Sequence, residues 1–109
     1  MRIDIKPLSV NACWQGRRYK TPEYKDFEEE CLLLLRNKKM IKGPVVVYYN
    51  CYIKNYSRSD VGNFEKPLSD IITKAGLIED DRFIKKIVME KFKSKEEYID
   101  IIIEKYEEK

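Results

Sequence analysis

Six residues with carboxylate, amide or ammonium side chains lie in the second half of the chain, at a spacing that suits phosphate chemistry. They are Asp60, Asn63, Lys66, Asp70, Asp80 and Asp81. Carboxylate and amide oxygens suit Mg²⁺, which typically uses one or two carboxylates beside substrate phosphates. A bound Mg²⁺ polarises a phosphoryl group and lowers the pKa of an attacking water. A lysine stabilises the charge that develops on the phosphate, so these residues suit a hard cation and a phosphate substrate.

Each of these residues also has a simpler structural interpretation. Asp60 and Asn63 stand where the N-cap of a helix is expected, and both residue types are preferred there. Lys66 and Asp70 have the spacing of an i,i+4 ion pair on a helix surface. The Asp80-Asp81 pair is able to cap a short turn before a strand. The residues alone therefore leave a metal site and ordinary structural contacts both open.

The composition excludes several kinds of catalysis. The chain contains no histidine, which excludes Ser-His-Asp and Cys-His catalysis and any zinc site that needs a histidine. Cys13, Cys31 and Cys51 are widely spaced and odd in number, which indicates reduced thiols packed in the interior. Acid–base or metal chemistry must therefore depend on Asp, Glu, Lys and Tyr.

Length and charge indicate one domain that is compatible with nucleic-acid binding. The 109 residues are expected to form a single domain over residues 1–109, with a formal net charge of +3. One basic cluster consists of Arg17, Arg18 and Lys20 around Tyr19, and a second consists of Lys38-Lys39. Each cluster suits contact with nucleic acid, and a solvated charged surface is an equal alternative. No signal segment or membrane helix is evident, so we expect a cytoplasmic protein. Its small size and composition suit a phage or prophage gene.

Apolar periodicity and turn residues predict an α+β fold, a small mixed β-sheet packed with two main helices. Thr21-Pro22 begins the first predicted helix. Gly76 ends the second, which becomes regular near Lys66 after an irregular turn at 61–65. The predicted strands are residues 2–5, 17–20, 45–54, 84–92 and 98–104, and the predicted helices are about 22–38 and 66–75. We expect the strands at 84–92 and 98–104 to form a hairpin.

Two ordered segments resemble the signature of the RusA-like Holliday junction resolvases. Residues 58–70 read RSDVGNFEKPLSD, and residues 75–84 read AGLIEDDRFI. The family signature runs D-x-D-N-x-x-K, then an Asp four residues after the Lys, then a D-D pair before an apolar residue. The opening Pro7-Leu8-Ser9-Val10-Asn11, Trp14 and Tyr19-Lys20 before a helix also resemble the family pattern. The similarity covers roughly residues 5–90.

The resemblance implies a structure-selective endodeoxyribonuclease that depends on Mg²⁺, with Mn²⁺ as a possible substitute. Such proteins are homodimers that resolve four-way junctions in branched DNA by paired phosphodiester cleavage, in recombination and repair. By position, Asp60, Lys66 and Asp81 resemble the catalytic residues, and Asp60, Asp80 and Asp81 the metal ligands. Asn63 and Asp70 resemble supporting residues.

Six residues near the N-terminus are the DNA-binding candidates. They are Asn11, Trp14, Arg17, Arg18, Tyr19 and Lys20. Basic side chains contact phosphates, and aromatic side chains stack on unpaired bases. Simple packing under a loop is an equal alternative for Trp14 and Tyr19.

The chain departs from the family signature at Gly62, which stands where the second Asp is expected. The glycine side chain has no ligand atom, so the site has one carboxylate fewer. Water or Asp80 is able to supply the missing metal ligand. The alternative function is therefore a catalytically weak or inactive protein of the same fold that binds branched DNA. A structural or regulatory protein without DNA affinity is a further alternative.

Overall fold

The computed structural model describes residues 1–16 and 19–107 and confirms the α+β fold class. Two helices pack on a four-stranded mixed sheet, and a short two-stranded sheet precedes the first helix. The strands are β1 (Arg2–Ile3), β2 (Trp14–Gln15), β3 (Tyr19–Lys20), β4 (Val45–Ile53), β5 (Ile84–Lys93) and β6 (Tyr98–Lys105), and the helices are α1 (Pro22–Leu34) and α2 (Glu65–Lys74).

Strand β4 is the centre of the main sheet, whose strand order is β1-β6-β4-β5. Its side chains alternate strictly between buried and half-buried, in the region where the sequence predicts a strand. The buried side chains, Val45, Val47, Tyr49, Cys51 and Ile53, face the hydrophobic core beneath the two helices. The opposite face of β4 stays partly exposed, so β4 has the pattern of a half-buried strand.

Helix α1 begins as predicted but ends earlier than expected. Thr21 is its N-cap and accepts a hydrogen bond from the Tyr24 backbone N–H at 3.1 Å. The prediction of a helix to residue 38 was four residues too long, because the chain leaves the helix after Leu34 and Asn37 adopts a left-handed φ of 64°. Leu34, the last residue of α1, is 42% exposed, whereas Leu35 is fully buried.

Helix α2 confirms the prediction of an irregular turn before a regular helix. Residues Val61–Phe64 form a 3-10 turn, and α2 follows at Glu65. Pro67 lies in the first helical turn, where its missing N–H costs no helical hydrogen bond. Gly76 follows the helix with φ 74°, a conformation that glycine adopts without a steric penalty.

The predicted hairpin between β5 and β6 was wrong. Strand β5 pairs with β4 in parallel, and β6 pairs with the other edge of β4 in antiparallel orientation. The chain between β5 and β6 crosses the end of β4, where the Ser94 N–H donates to the Ile53 carbonyl at 3.0 Å. Parallel strands need a crossover connection, and here the segment that contains α2 supplies it and places β5 beside β4.

The three cysteines are free and buried, as predicted. Burial raises the pKa of Cys31 and of Cys51 to about 12, so both thiols stay protonated and unreactive near neutral pH. Within the described ranges 1–16 and 19–107, no helix is both long and apolar enough to span a membrane.

Candidate active site

Lys66 lies between two carboxylates on the exposed side of α2. Its Nζ donates to Asp70 Oδ1 at 3.1 Å and lies 4.0 Å from Asp81 Oδ2. The hydrogen bond to Asp70 raises the pKa of Lys66, and the charges of Asp70 and Asp81 raise it further. The lysine is therefore a fixed ammonium group near neutral pH. Lys66, Asp70 and Asp81 are the predicted site residues that direct contacts bring together.

The two adjacent carboxylates of Asp80 and Asp81 differ in their proton affinity. Asp80 Oδ1 accepts a hydrogen bond from the Arg82 backbone N–H at 3.1 Å, and this bond lowers the pKa of Asp80. The pKa of Asp81 is raised, because its side chain hydrogen-bonds to Asp80 and because the Asp80 charge repels its own. A cation beside Asp81 would relieve that repulsion, so this pair has the chemistry of an oxygen-donor site for a divalent ion.

Asp60 caps the turn that precedes α2. Its Oδ1 accepts from the Gly62 N–H at 3.1 Å, and its backbone carbonyl accepts from the Asn63 N–H at 3.0 Å. Asp60 follows β4 and Asp81 precedes β5; the end of β4 and the start of β5 are opposite ends of this parallel pair. Within the described residues, no hydrogen bond or ion pair connects Asp60 or Asn63 to Lys66, Asp70 or Asp81.

Gly62 has room for a side chain. A Cβ built on it would lie 3.4 Å from Asp60 Oδ1, and the backbone of Gly62 is not in the left-handed region. The backbone of this turn therefore does not require a glycine at position 62. An aspartate at this position would add a second carboxylate directly beside Asp60.

The carboxylates fit Mg²⁺ only as part of a ligand set. Across residues 1–16 and 19–107, no three Asp, Glu or Cys side chains converge closely enough to hold a metal ion by themselves. Mg²⁺ commonly keeps several waters and uses one or two carboxylates together with substrate phosphates. Asp80 and Asp81 meet that lower requirement, so the residues fit an ion that a DNA phosphate helps to coordinate.

An open cleft of about 360 Å³ adjoins Asp70 and Asp81, and aromatic side chains form part of its wall. The ring of Trp14, 42% exposed, packs edge-on against the buried ring of Tyr24, with 5.7 Å between the centroids. Trp14 pairs with Lys20 across the β2–β3 ladder, so one short hairpin places both residues at the cleft.

The other predicted DNA-binding residues have different surroundings. Tyr19 is 74% exposed and lies outside the cleft lining, and Asn11 is exposed on the turn Val10–Ala12. Arg17 and Arg18 lie outside the described residues. Lys38-Lys39 lines a separate cleft of about 340 Å³.

An ion-pair network at the cleft was not predicted. Glu28 accepts hydrogen bonds from Lys20 Nζ at 3.0 and 3.1 Å and from Lys74 Nζ at 2.7 Å. Desolvation raises the pKa of Glu28, but the hydrogen bonds from Lys74 and Lys20 outweigh it, so the net shift is downward. Glu28 stays ionised near neutral pH and holds two lysines at the edge of the cleft.

A lysine on β5 secures the loop that leads to Asp60. Lys91 Nζ donates to the Tyr56 carbonyl at 2.6 Å and to the Ser59 carbonyl at 2.9 Å. It also lies over the Tyr56 ring, 4.3 Å from the centroid. Because Ser59 directly precedes Asp60, Lys91 fixes the entry to the turn that Asp60 caps.

Comparison with known families gives one match that covers most of the chain. A family model described as endodeoxyribonuclease RusA matches residues 8–104, which include every candidate site residue. No curated protein matches the chain significantly.

Proposed function

Because the chain belongs to the RusA endodeoxyribonuclease family, we propose that it is a Mg²⁺-dependent endonuclease that resolves four-way junctions by paired phosphodiester cleavage. Family membership by itself implies endonuclease activity on branched DNA. The observation that best supports the finer proposal is the position of Lys66 between Asp70 and Asp81, beside a cleft with an aromatic wall.

In this proposal each residue at the centre has a separate role. Asp81, with Asp80 and the more separate Asp60, would hold Mg²⁺, with Mn²⁺ as a substitute. The ion, when bound, would polarise the scissile phosphodiester and favour ionisation of an attacking water. Lys66 would stabilise negative charge on the phosphate, and Asp70 would hold the Lys66 ammonium in place. Asn63 would support the turn beside Asp60.

DNA contacts would come from the segment before α1. Lys20 would contact the phosphate backbone and Trp14 would stack on a base, and the exposed side chains of Tyr19 and Asn11 would add further contacts outside the cleft. We also expect a homodimer, because two symmetric active sites suit the near two-fold symmetry of a junction. Sedimentation of the protein alone, over a range of concentrations, would measure the dimer directly.

The second candidate is a protein of the same fold that binds branched DNA without cutting it. Gly62 favours this alternative, because it removes a carboxylate where the family signature has one. The absence of any three converging acidic or thiol side chains, as far as the described residues extend, points in the same direction.

Cleavage of a synthetic four-way junction distinguishes the two candidates. Parent protein, Asp81→Asn and Lys66→Met would each be incubated with the junction and Mg²⁺, with Asp26→Asn on the exposed surface of α1 as the matched control. We expect paired nicks from the parent and from Asp26→Asn, and at least a hundredfold loss in the other two variants. Tight binding without nicking by the parent, across Mg²⁺ and Mn²⁺ concentrations, would support the second candidate.

A further inference from the structure

The cleft beside Lys66 has the size of a site for one nucleotide. Its volume of about 360 Å³ lies at the lower end of the roughly 300–1,000 Å³ that small-molecule sites occupy. This volume suits a single base with its sugar and is too small for a base pair in a duplex. Asp81 and Asp70 line one side of the cleft, so any nucleotide in it would lie next to the proposed reaction centre.

The aromatic wall offers a surface that a base is able to stack on. Tyr24 is buried and supports the ring of Trp14 edge-on at 5.7 Å. One ring is thus held in position by the other while Trp14 remains partly accessible. Bases within a duplex already stack on their neighbours, so a protein ring is available mainly to an unpaired base.

Two lysines in the lining of the cleft are held by one glutamate. Glu28 binds Lys20 and Lys74 together, and its own side chain is only 14% exposed. Two ammonium groups and one carboxylate give this group one positive charge, and the proposed divalent ion would offset the charges of Asp70 and Asp81 in the same lining. Lysines fixed in this way are suited to the backbone phosphate of a nucleotide whose base lies against Trp14.

From these three features we infer that the cleft binds one unpaired nucleotide of the DNA branch point, with its base on Trp14 and its phosphate at Lys20 and Lys74. The inference rests on the proposed function and adds the form of DNA that the site selects. The protein would prefer junctions that present an unpaired nucleotide at the crossing over fully paired ones. Glu28 would act as a positioning residue for the two lysines.

Trp14 is the only tryptophan in the chain, so its fluorescence tests the inference directly. The parent would be titrated with a four-way junction carrying one unpaired thymidine at the crossing, with a fully paired junction and with a duplex. Ca²⁺ would replace Mg²⁺, and gels would verify that the DNA stays intact. We expect clear quenching and about 5- to 100-fold tighter binding for the junction with the unpaired thymidine, the range that stacking of one base provides.

Variants separate stacking from general affinity. Trp14→Leu should lose most of the preference for the unpaired thymidine in a gel-shift assay, and Trp14→Phe should keep most of it. Tyr106→Leu is the matched control, because Tyr106 is similarly exposed and lies outside the cleft lining. Lys74→Gln should weaken binding and reduce the salt dependence by about one released ion. Circular dichroism would verify that each variant is folded.

The outcomes distinguish this inference from the proposed function. Equal binding of both junctions without quenching, or an unchanged preference in folded Trp14→Leu, would overturn the inference and leave the proposed function standing. Failure of the parent to bind any of the three DNAs would overturn both.

Discussion

The Gly62→Asp variant should bind Mg²⁺ more tightly and cut a junction at lower Mg²⁺ concentrations than the parent. The substitution is feasible because a Cβ at this position meets only Asp60 Oδ1 at 3.4 Å, an ordinary contact distance. The backbone there is not left-handed, so a side chain introduces no backbone strain. The new carboxylate would lie beside that of Asp60, which now accepts only the Gly62 N–H through Oδ1.

The expected magnitude follows from the charges. Two exposed carboxylates about 4 Å apart repel each other by about 1 kcal/mol in water, and this repulsion should lower the Tm without metal by about 4 °C. A divalent cation at a similar distance would gain about 2 kcal/mol from the added charge, which corresponds to about 10- to 30-fold tighter binding. The variant should therefore be less stable than the parent without metal and recover when Mg²⁺ is added.

The assay measures junction nicking and thermal unfolding over a Mg²⁺ titration. Gly62→Asn is the matched control, because it has nearly the same shape as the aspartate variant and no charge. If the aspartate and asparagine variants need the same Mg²⁺ concentration for half-maximal nicking, the missing carboxylate at Gly62 does not limit Mg²⁺ binding. If Mg²⁺ raises the Tm of the aspartate variant no more than that of the asparagine variant, the assignment of Asp60 to the metal site is refuted.

Two further variants test contacts that support the cleft and the Asp60 loop. Glu28→Gln should lower the free energy of unfolding by about 1–2 kcal/mol in urea denaturation, because it weakens the charged hydrogen bonds to two lysines. Folding lowers the pKa of Glu28. The stability difference between parent and variant should therefore be largest above the unfolded pKa of about 4.3, and it should decline as the pH falls through the folded pKa. A stability difference that stays constant down to pH 3 would contradict the ion pairs. Lys91→Met should speed amide hydrogen exchange in residues 55–60 and reduce kcat about threefold or more. Lys85→Met, at an exposed lysine near the other end of the same strand, should leave exchange there unchanged.

The fold could be predicted where local pattern determines it. The strand predicted over residues 45–54 and the helix start at Thr21-Pro22 depend on neighbouring residues, and both predictions were confirmed. The hairpin prediction was wrong because strand pairing depends on the whole chain. Strands β5 and β6 are adjacent in sequence, yet β4 lies between them, since the crossover through α2 had already placed β5 at one edge of β4. No local signal between residues 93 and 97 indicates that arrangement.

The site was only partly predictable for the same reason. Lys66 and Asp70 could be paired from their spacing, and Lys74 continues that spacing by four residues along α2, so it was a signal that sequence reasoning missed. Tyr24 and Glu28 have the same relation on α1. Lys91 has no such signal, because its hydrogen-bond partners lie 32 and 35 residues away in sequence.

The charge balance of the site explains how so mildly basic a chain is able to act on DNA. Lys20, Lys66 and Lys74 form ion pairs with Glu28, Asp70 and Asp81, so three positive and three negative groups cancel, and the adjacent Asp80 adds one further negative charge. Without a cation, this centre offers DNA phosphates no net attraction. A divalent ion at Asp81 would make the same centre positive and would raise its affinity for phosphate at the place where cleavage is proposed. In the proposed enzyme, metal binding and DNA binding are therefore coupled, and the acidic residues restrict tight DNA binding to the metal-loaded form.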